Sequence, residues 1–231
     1  MPLRLEQLQN DLAEAAARIE AARARGGRGQ AIRLLAATKY CSVEDMGVLK
    51  AAGVRLVGEN RADALAEKWR VYGEDFEFHF IGHLQRRKVR EVVPLVRLIH
   101  SVDSLPLVRE IEGRAEAVVD VLLEVNVSGE TGKYGILPGD AEAFLEQAAE
   151  FEGVRFVGLM TMAPLVSDPE DARPVFRGLR QLRERLAPLF SPRHALTELS
   201  MGMSGDYEVA VEEGATLVRL GSTLFARAQG G

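Results

Sequence analysis

Lys39 closes the run Ile32-Arg33-Leu34-Leu35-Ala36-Ala37-Thr38-Lys39, a short apolar stretch bounded by turn residues. The run reads as a buried strand that ends in a single amine. Such an amine is placed to lose part of its hydration, and desolvation lowers the pKa of a lysine. The neutral amine is the form that attacks an aldehyde. A second set of residues suits an anion. Ser204-Gly205 and Gly221-Ser222 each join a glycine, where backbone N–H groups can come close, to a hydroxyl donor. Taken singly, Ser204 or Asp206 is more readily a helix cap and Gly221 more readily a turn. Arg219 stands just before Gly221. A cation buried there needs an acceptor, either the ring nitrogen of a bound heteroaromatic or a carboxylate such as Glu198 or Glu59.

These groups must be carried by regular elements. Leu5, Leu8, Leu12, Ala15, Ala16, Ile19 and Ala22 recur at helical spacing before Gly26-Gly27, so a leading helix is expected over residues 3 to about 24. Strand-like segments follow at 32–38, 54–58, 76–81, 98–102, 118–126, 154–160, 196–200 and 216–220. Helix-like segments lie between them at 43–52, 61–70, 84–97, 104–116, 140–150, 170–188 and 206–214, the sixth either beginning near Pro174 or bending there. Several strands are continuous apolar runs, as parallel strands buried on both faces are. Eight strands alternating with helices predict a (β/α)₈ TIM barrel over an open doubly wound sheet, the more so because no Gly-x-Gly-x-x-Gly follows the first strand. The leading helix is expected to pack beside a final segment, 221–228. No linker or repeat divides the chain, so one domain, 1–231, is expected.

In a barrel the site is built at the C-terminal ends of the strands, often with a phosphate held after strands 7 and 8. The polar groups at those ends are Thr38-Lys39, Glu59-Asn60, His83, Ser101 and Asp103, Glu124 and Asn126, Thr161, Ser200 to Gly205, and Arg219 to Thr223. Ser204-Gly205 and Gly221-Ser222 fall at the two ends where a phosphate belongs. An amine on strand 1, an anion cradle after strands 7 and 8 and an arginine on strand 8 together suggest pyridoxal 5′-phosphate.

Composition narrows the alternatives. The 231 residues are 47% hydrophobic and 27% charged with a formal net charge of −5, which does not suit a nucleic-acid or anionic-membrane surface. No apolar run reaches the roughly 18 residues of a membrane span, and the N-terminus lacks a signal-peptide core. Cys41 is the single cysteine, which excludes an internal disulfide and a zinc cluster. A cytoplasmic monomer without a metal is expected. Paired glycosidase carboxylates and a His-Glu-x-x-His pattern are absent. Ser128 to Tyr134 is read as a mobile loop with a solvated Lys133, Arg86-Arg87-Lys88 as a solvated patch, and Cys41 as packing.

The chain also resembles the YggS/PROSC family, the pyridoxal phosphate homeostasis proteins, over almost its whole length. The resemblance is carried by Ala36-Ala37-Thr38-Lys39, Gly58-Glu59-Asn60, His79-Phe80-Ile81-Gly82-His83-Leu84-Gln85, Val125 to Glu130 with Lys133 and Gly135, Gly158-Leu159-Met160, Leu199 to Asp206, and Val218-Arg219-Leu220-Gly221-Ser222. It departs from the commoner pattern at Arg86-Arg87 and at Arg61-Ala62-Asp63, both on following helices. The resemblance implies the alanine racemase N-terminal barrel without its second domain. It implies that Lys39 holds pyridoxal 5′-phosphate as an internal aldimine, and that Ser204, Gly205, Gly221 and Ser222 surround the phosphate. Arg219 would face the pyridine nitrogen, and Asn60 and Met201 would line the pocket. An arginine there disfavours protonating the ring, which makes a poor electron sink. The expected function is therefore to bind, store and deliver the cofactor, with PLP-dependent enzymes as clients and without strong turnover. An amino-acid racemase-like activity and a cofactor-free Schiff-base aldolase are the alternatives.

Overall fold

The computed structural model describes residues 3–225. Eight parallel strands close into a barrel in sequence order. They are β1 (Arg33–Ala37), β2 (Leu56–Glu59), β3 (Glu77–Phe80), β4 (Leu98–Val102), β5 (Val119–Glu124), β6 (Val154–Met160), β7 (Glu198–Met203) and β8 (Leu217–Leu220). β1 closes the ring against β8, with Leu35 opposite Arg219. The helices are α1 (Leu5–Gly26), α2 (Val43–Ala51), α3 (Ala62–Tyr72), α4 (Val89–Val92), α5 (Leu105–Glu112), α6 (Ala141–Ala148), α7 (Arg173–Phe190), α8 (Tyr207–Glu212) and α9 (Ser222–Phe225).

Strand alternation divides the apolar side chains between two cores. Leu35, Ala37, Leu98, Leu122, Met160 and Leu217 pack together inside the barrel. Ala36, Val57, Phe80, Ile99, Leu123, Leu159, Leu199 and Val218 face the other way, against the helices. The leading helix turns Leu8, Ala15, Ile19 and Ala22 inward and packs on α8 and α9. Its expected partner segment is thus found as far as Phe225, and residues 226–228 lie outside the described part.

Two expectations are corrected, and one left open is decided. The helix expected over 84–97 is broken into a 3₁₀ turn at Arg86–Lys88, α4, and a second 3₁₀ turn at Val93–Leu95. Pro94 lacks the N–H that a continuous helix needs. The helix expected over 170–188 begins near Pro174 rather than bending there, since α7 starts at Arg173 and Pro174 sits in its first turn, where its missing N–H costs nothing. The seventh strand lies further along than 196–200. Leu196 has φ 45° and cannot be extended, whereas Gly202, at φ 90°, keeps β7 against α8. A Cβ there would lie 2.6 Å from that of Ala210. Among the described residues no helix is long and apolar enough to cross a membrane.

Candidate functional site

The C-terminal ends of the strands gather the polar residues. Arg219 follows the inward-facing Leu217 by two positions, so alternation points it into the barrel. It is only 6% exposed. Its Nη1 donates to the Ser200 carbonyl at 3.0 Å and to the Ser200 hydroxyl at 2.5 Å, and its Nη2 donates to the Thr161 carbonyl at 3.0 Å. The acceptors are therefore not Glu198 or Glu59. Glu198 lies at the opposite rim with Thr216 and Arg33, and Glu59 points outward to a different partner. Burial pulls the guanidinium down to about 10, opposed by the nearby carboxylates Glu124 and Asp206. It stays charged at neutral pH.

The loops after β7 and β8 meet through one hydroxyl. Ser204 Oγ accepts from the N–H of Gly221 at 3.3 Å and from that of Thr223 at 3.1 Å. Ser204 therefore caps nothing on α8, and neither does Asp206, whose carboxylate instead accepts from the Met203 N–H at 2.6 Å. Gly205 and Ser222 are exposed, and nothing lies within 4 Å of where a Cβ on Gly205 would be. Gly221 lies against Ala37, which brings this corner to the end of β1. Two backbone donors already converge there on an oxygen, and the space above Gly205 is open. That donor set fits the oxygens of a phosphate.

Lys39 is two residues beyond the inward-facing Ala37. The strand ends at Ala37, and Lys39 and Tyr40 form a turn closed by the Cys41 N–H donating to the Thr38 carbonyl at 2.9 Å. Lys39 is exposed rather than desolvated. Its Nζ lies 4.8 Å from the centre of the Tyr40 ring and borders a cleft of about 490 Å³ shared with Cys41, Glu44 and Arg70. The turn carries the amine outside the apolar interior, which is why the expected desolvation is not found. Asn60 follows β2, is exposed, and sits so close to Gly82 that a Cβ there would be 2.3 Å from the Asn60 carbonyl oxygen. Met201 is fully buried among the side chains between barrel and helices, so only its backbone borders the mouth.

Of the other strand-end groups, Glu124 is the most deeply perturbed. Glu124 continues the inward series from Leu122 and is 4% exposed. Desolvation, with Asp103 nearby, raises its carboxyl to about 7. Ionising it therefore costs stability, an effect absent below its ordinary 4.5 and complete above about 7. Glu124→Gln is expected to stabilise the fold increasingly across that window, by roughly 2–3 kcal/mol at its top. Urea melts at pH 4.5 and pH 8 check this, since an equal gain at both would show that ionisation is not the cause.

The loop after β5, expected to be mobile, is tied at its base. Asn126 N–H donates to the Ile136 carbonyl at 2.9 Å, and Ile136 N–H to that of Glu124 at 3.0 Å. Its Tyr134 stacks on His83 with ring centres 3.8 Å apart, and Lys133 pairs with Glu130. Burial pushes the Cys41 thiol up to about 12, in keeping with a packing role.

The model of the alanine racemase N-terminal domain family matches residues 10–228. The chain is 44% identical to the pyridoxal phosphate homeostasis protein of Aquifex aeolicus, over 90% of this chain and 92% of that protein. It is 35% identical to the human protein of the same name, over 84% of this chain and 75% of that one. Among solved structures, PipY of Synechococcus elongatus with PLP bound superposes with a TM-score of 0.82 at 31% identity, covering 94% of this chain and 99% of that one.

Proposed function

The chain belongs to the pyridoxal phosphate homeostasis family, and from that premise we propose that it binds pyridoxal 5′-phosphate at the barrel mouth, buffers it and delivers it to other enzymes. The observation that carries the reading is the corner where a buried Arg219 stands beside two loops joined through the Ser204 hydroxyl. Ser204, Gly205, Gly221 and Ser222 would hold the phosphate, and Lys39 would hold the aldehyde end. Asn60 and the Met201 backbone would border the ring. When bound, the group supplies an electrophilic aldehyde carbon.

The chain's own residues favour retention over turnover. Arg219 brings a fixed positive charge that discourages a proton on a neighbouring ring nitrogen. Glu124, raised to about 7 by burial, carries only about half a negative charge at neutral pH. Lys39 is exposed and reaches the mouth by rotation of its side chain, a fast motion for a surface residue. That suits loading and release. The proposal includes a cytoplasmic, monomeric, single-domain protein with no strong catalytic activity. Dialysed protein mixed with pyridoxal phosphate is expected to develop a visible absorption band that borohydride bleaches. A protein that stays colourless and binds none would end this reading, and α-proton exchange of single amino acids in deuterated water would turn it toward a racemase.

A further inference from the structure

A line of hydrogen bonds runs through the barrel interior from Arg219 to the opposite rim. Arg219 Nη1 meets Ser200 Oγ at 2.5 Å, and Ser200 Oγ meets His100 Nδ1 at 3.0 Å. His100 Nε2 meets His79 Nδ1 at 3.0 Å, and His79 Nε2 meets Glu77 Oε1 at 2.8 Å. Ser200, His100 and His79 are at most 1% exposed, while Glu77, the first residue of β3, is partly open to water. The only direction in which every member is satisfied with both rings neutral follows from the chemistry of the end groups. A guanidinium only donates and a carboxylate only accepts. The Ser200 oxygen is thus an acceptor for Arg219, and its own proton goes to His100 Nδ1. His100 then carries its proton on Nε2 and donates to His79 Nδ1, and His79 donates from Nε2 to Glu77.

The opposite direction would set a bare His79 nitrogen against the Glu77 carboxylate, or else require an imidazolium in the core. Burial holds His100 well below the ordinary histidine value, and Arg219, Arg33 and His79 push the same way. Burial also lowers His79, although Glu77 and Glu198 oppose it and Arg33 assists. Glu77 is held below its ordinary value by the hydrogen bond from His79, so the line ends on a charge.

We propose that Ser200, His100 and His79 are positioning residues that form a one-way hydrogen-bonded line, anchored at Glu77, which fixes the Arg219 guanidinium for the ring of the bound ligand. The positioning role rests on the reading of the site given above, whereas the line itself does not. The line is therefore tested in protein without ligand. Long-range ¹⁵N–¹H spectra of histidine-labelled protein at pH 7 are expected to show His79 and His100 neutral, both protonated on Nε2. Either ring as an imidazolium, or protonated on Nδ1, overturns it.

The positioning role is tested with Ser200→Ala and Ser200→Thr. The first is expected to bind pyridoxal phosphate about tenfold more weakly, the worth of one hydrogen bond to a charged group, and to change the His100 ring signals. The second restores the hydroxyl and is expected to restore both. Equal binding by wild type and Ser200→Ala overturns the positioning role, as does a loss that Ser200→Thr does not rescue. Wild-type protein that binds no pyridoxal phosphate strikes the reading of the site, and the positioning role with it, while the spectra still decide the line.

Discussion

Lys39→Ala is expected to leave the protein folded and unable to form a covalent adduct with pyridoxal phosphate. The reason lies in how the other amines are spent. The five lysines, Lys39, Lys50, Lys68, Lys88 and Lys133, all fall within the described residues. Lys50 pairs with Asp75, Lys68 with Glu59, Lys88 with Glu91 and Lys133 with Glu130. Among the described residues Lys39 has no carboxylate partner, and its amine faces the Tyr40 ring. A lysine held by a carboxylate has to give up that contact before its nitrogen can attack an aldehyde. The exposed position limits the stability cost of Lys39→Ala to about 0.5 kcal/mol. After borohydride treatment, intact-mass measurement is expected to find the pyridoxyl adduct on the wild type and only background on the variant. Residual, reversible binding through Arg219 and the two loops is expected at much lower affinity. Wild-type levels of adduct on Lys39→Ala, mapped to the Lys133 or Lys88 peptide, would move the attachment point elsewhere.

The fold was legible because its signals repeat. Eight apolar runs separated by helical spacings give a count, and the count gives the barrel. From the barrel came the positions of Lys39, Arg219, Ser204 and Gly221 at the strand ends, without any need for exact boundaries. What escaped depends on which way a side chain points. Ser200 and Gly202 look like the end of a strand, because a hydroxyl and a glycine are usual turn residues. Both lie within β7, where Ser200 faces the interior polar line. His79 and His100 sit in apolar strands and lack metal-ligand spacing. Their alternation with Phe78 and Phe80, and with Ile99, was the signal that they face the barrel interior. The exposure of the Lys39 amine escapes because a sequence does not show where the last strand residue ends and the turn begins.

Lys68→Met is expected to cost about 3–5 kcal/mol, because it strands a buried charge. Lys68 lies on α3, 3% exposed, and Glu59 at the end of β2 is fully buried. Lys68 Nζ contacts Glu59 Oε1 and donates to the Thr38 carbonyl at 2.7 Å. The Thr38 hydroxyl donates to the same Glu59 oxygen at 2.6 Å, while Glu59 Oε2 has no hydrogen-bond partner among the described residues. Without Lys68 the carboxylate keeps a single hydroxyl donor in a site closed to water. The double variant Glu59→Gln/Lys68→Met removes both charges and is expected to recover most of the loss, since a buried ion pair adds little over a neutral pair of the same shape. Urea melts of the two single variants and the double variant measure this coupling directly. A cost below about 1 kcal/mol for Lys68→Met would mean that water reaches Glu59 and that the pair is not a closed one. The position of the pair links this stability to function. Thr38 is the residue before Lys39, so the carbonyl that Lys68 holds fixes the end of β1 from which the reactive amine swings. Lys68→Met is therefore expected to weaken pyridoxal phosphate binding at temperatures where it is still folded. Glu59→Gln/Lys68→Met is expected to regain stability more fully than binding, because it restores neutrality without restoring the hold on Thr38.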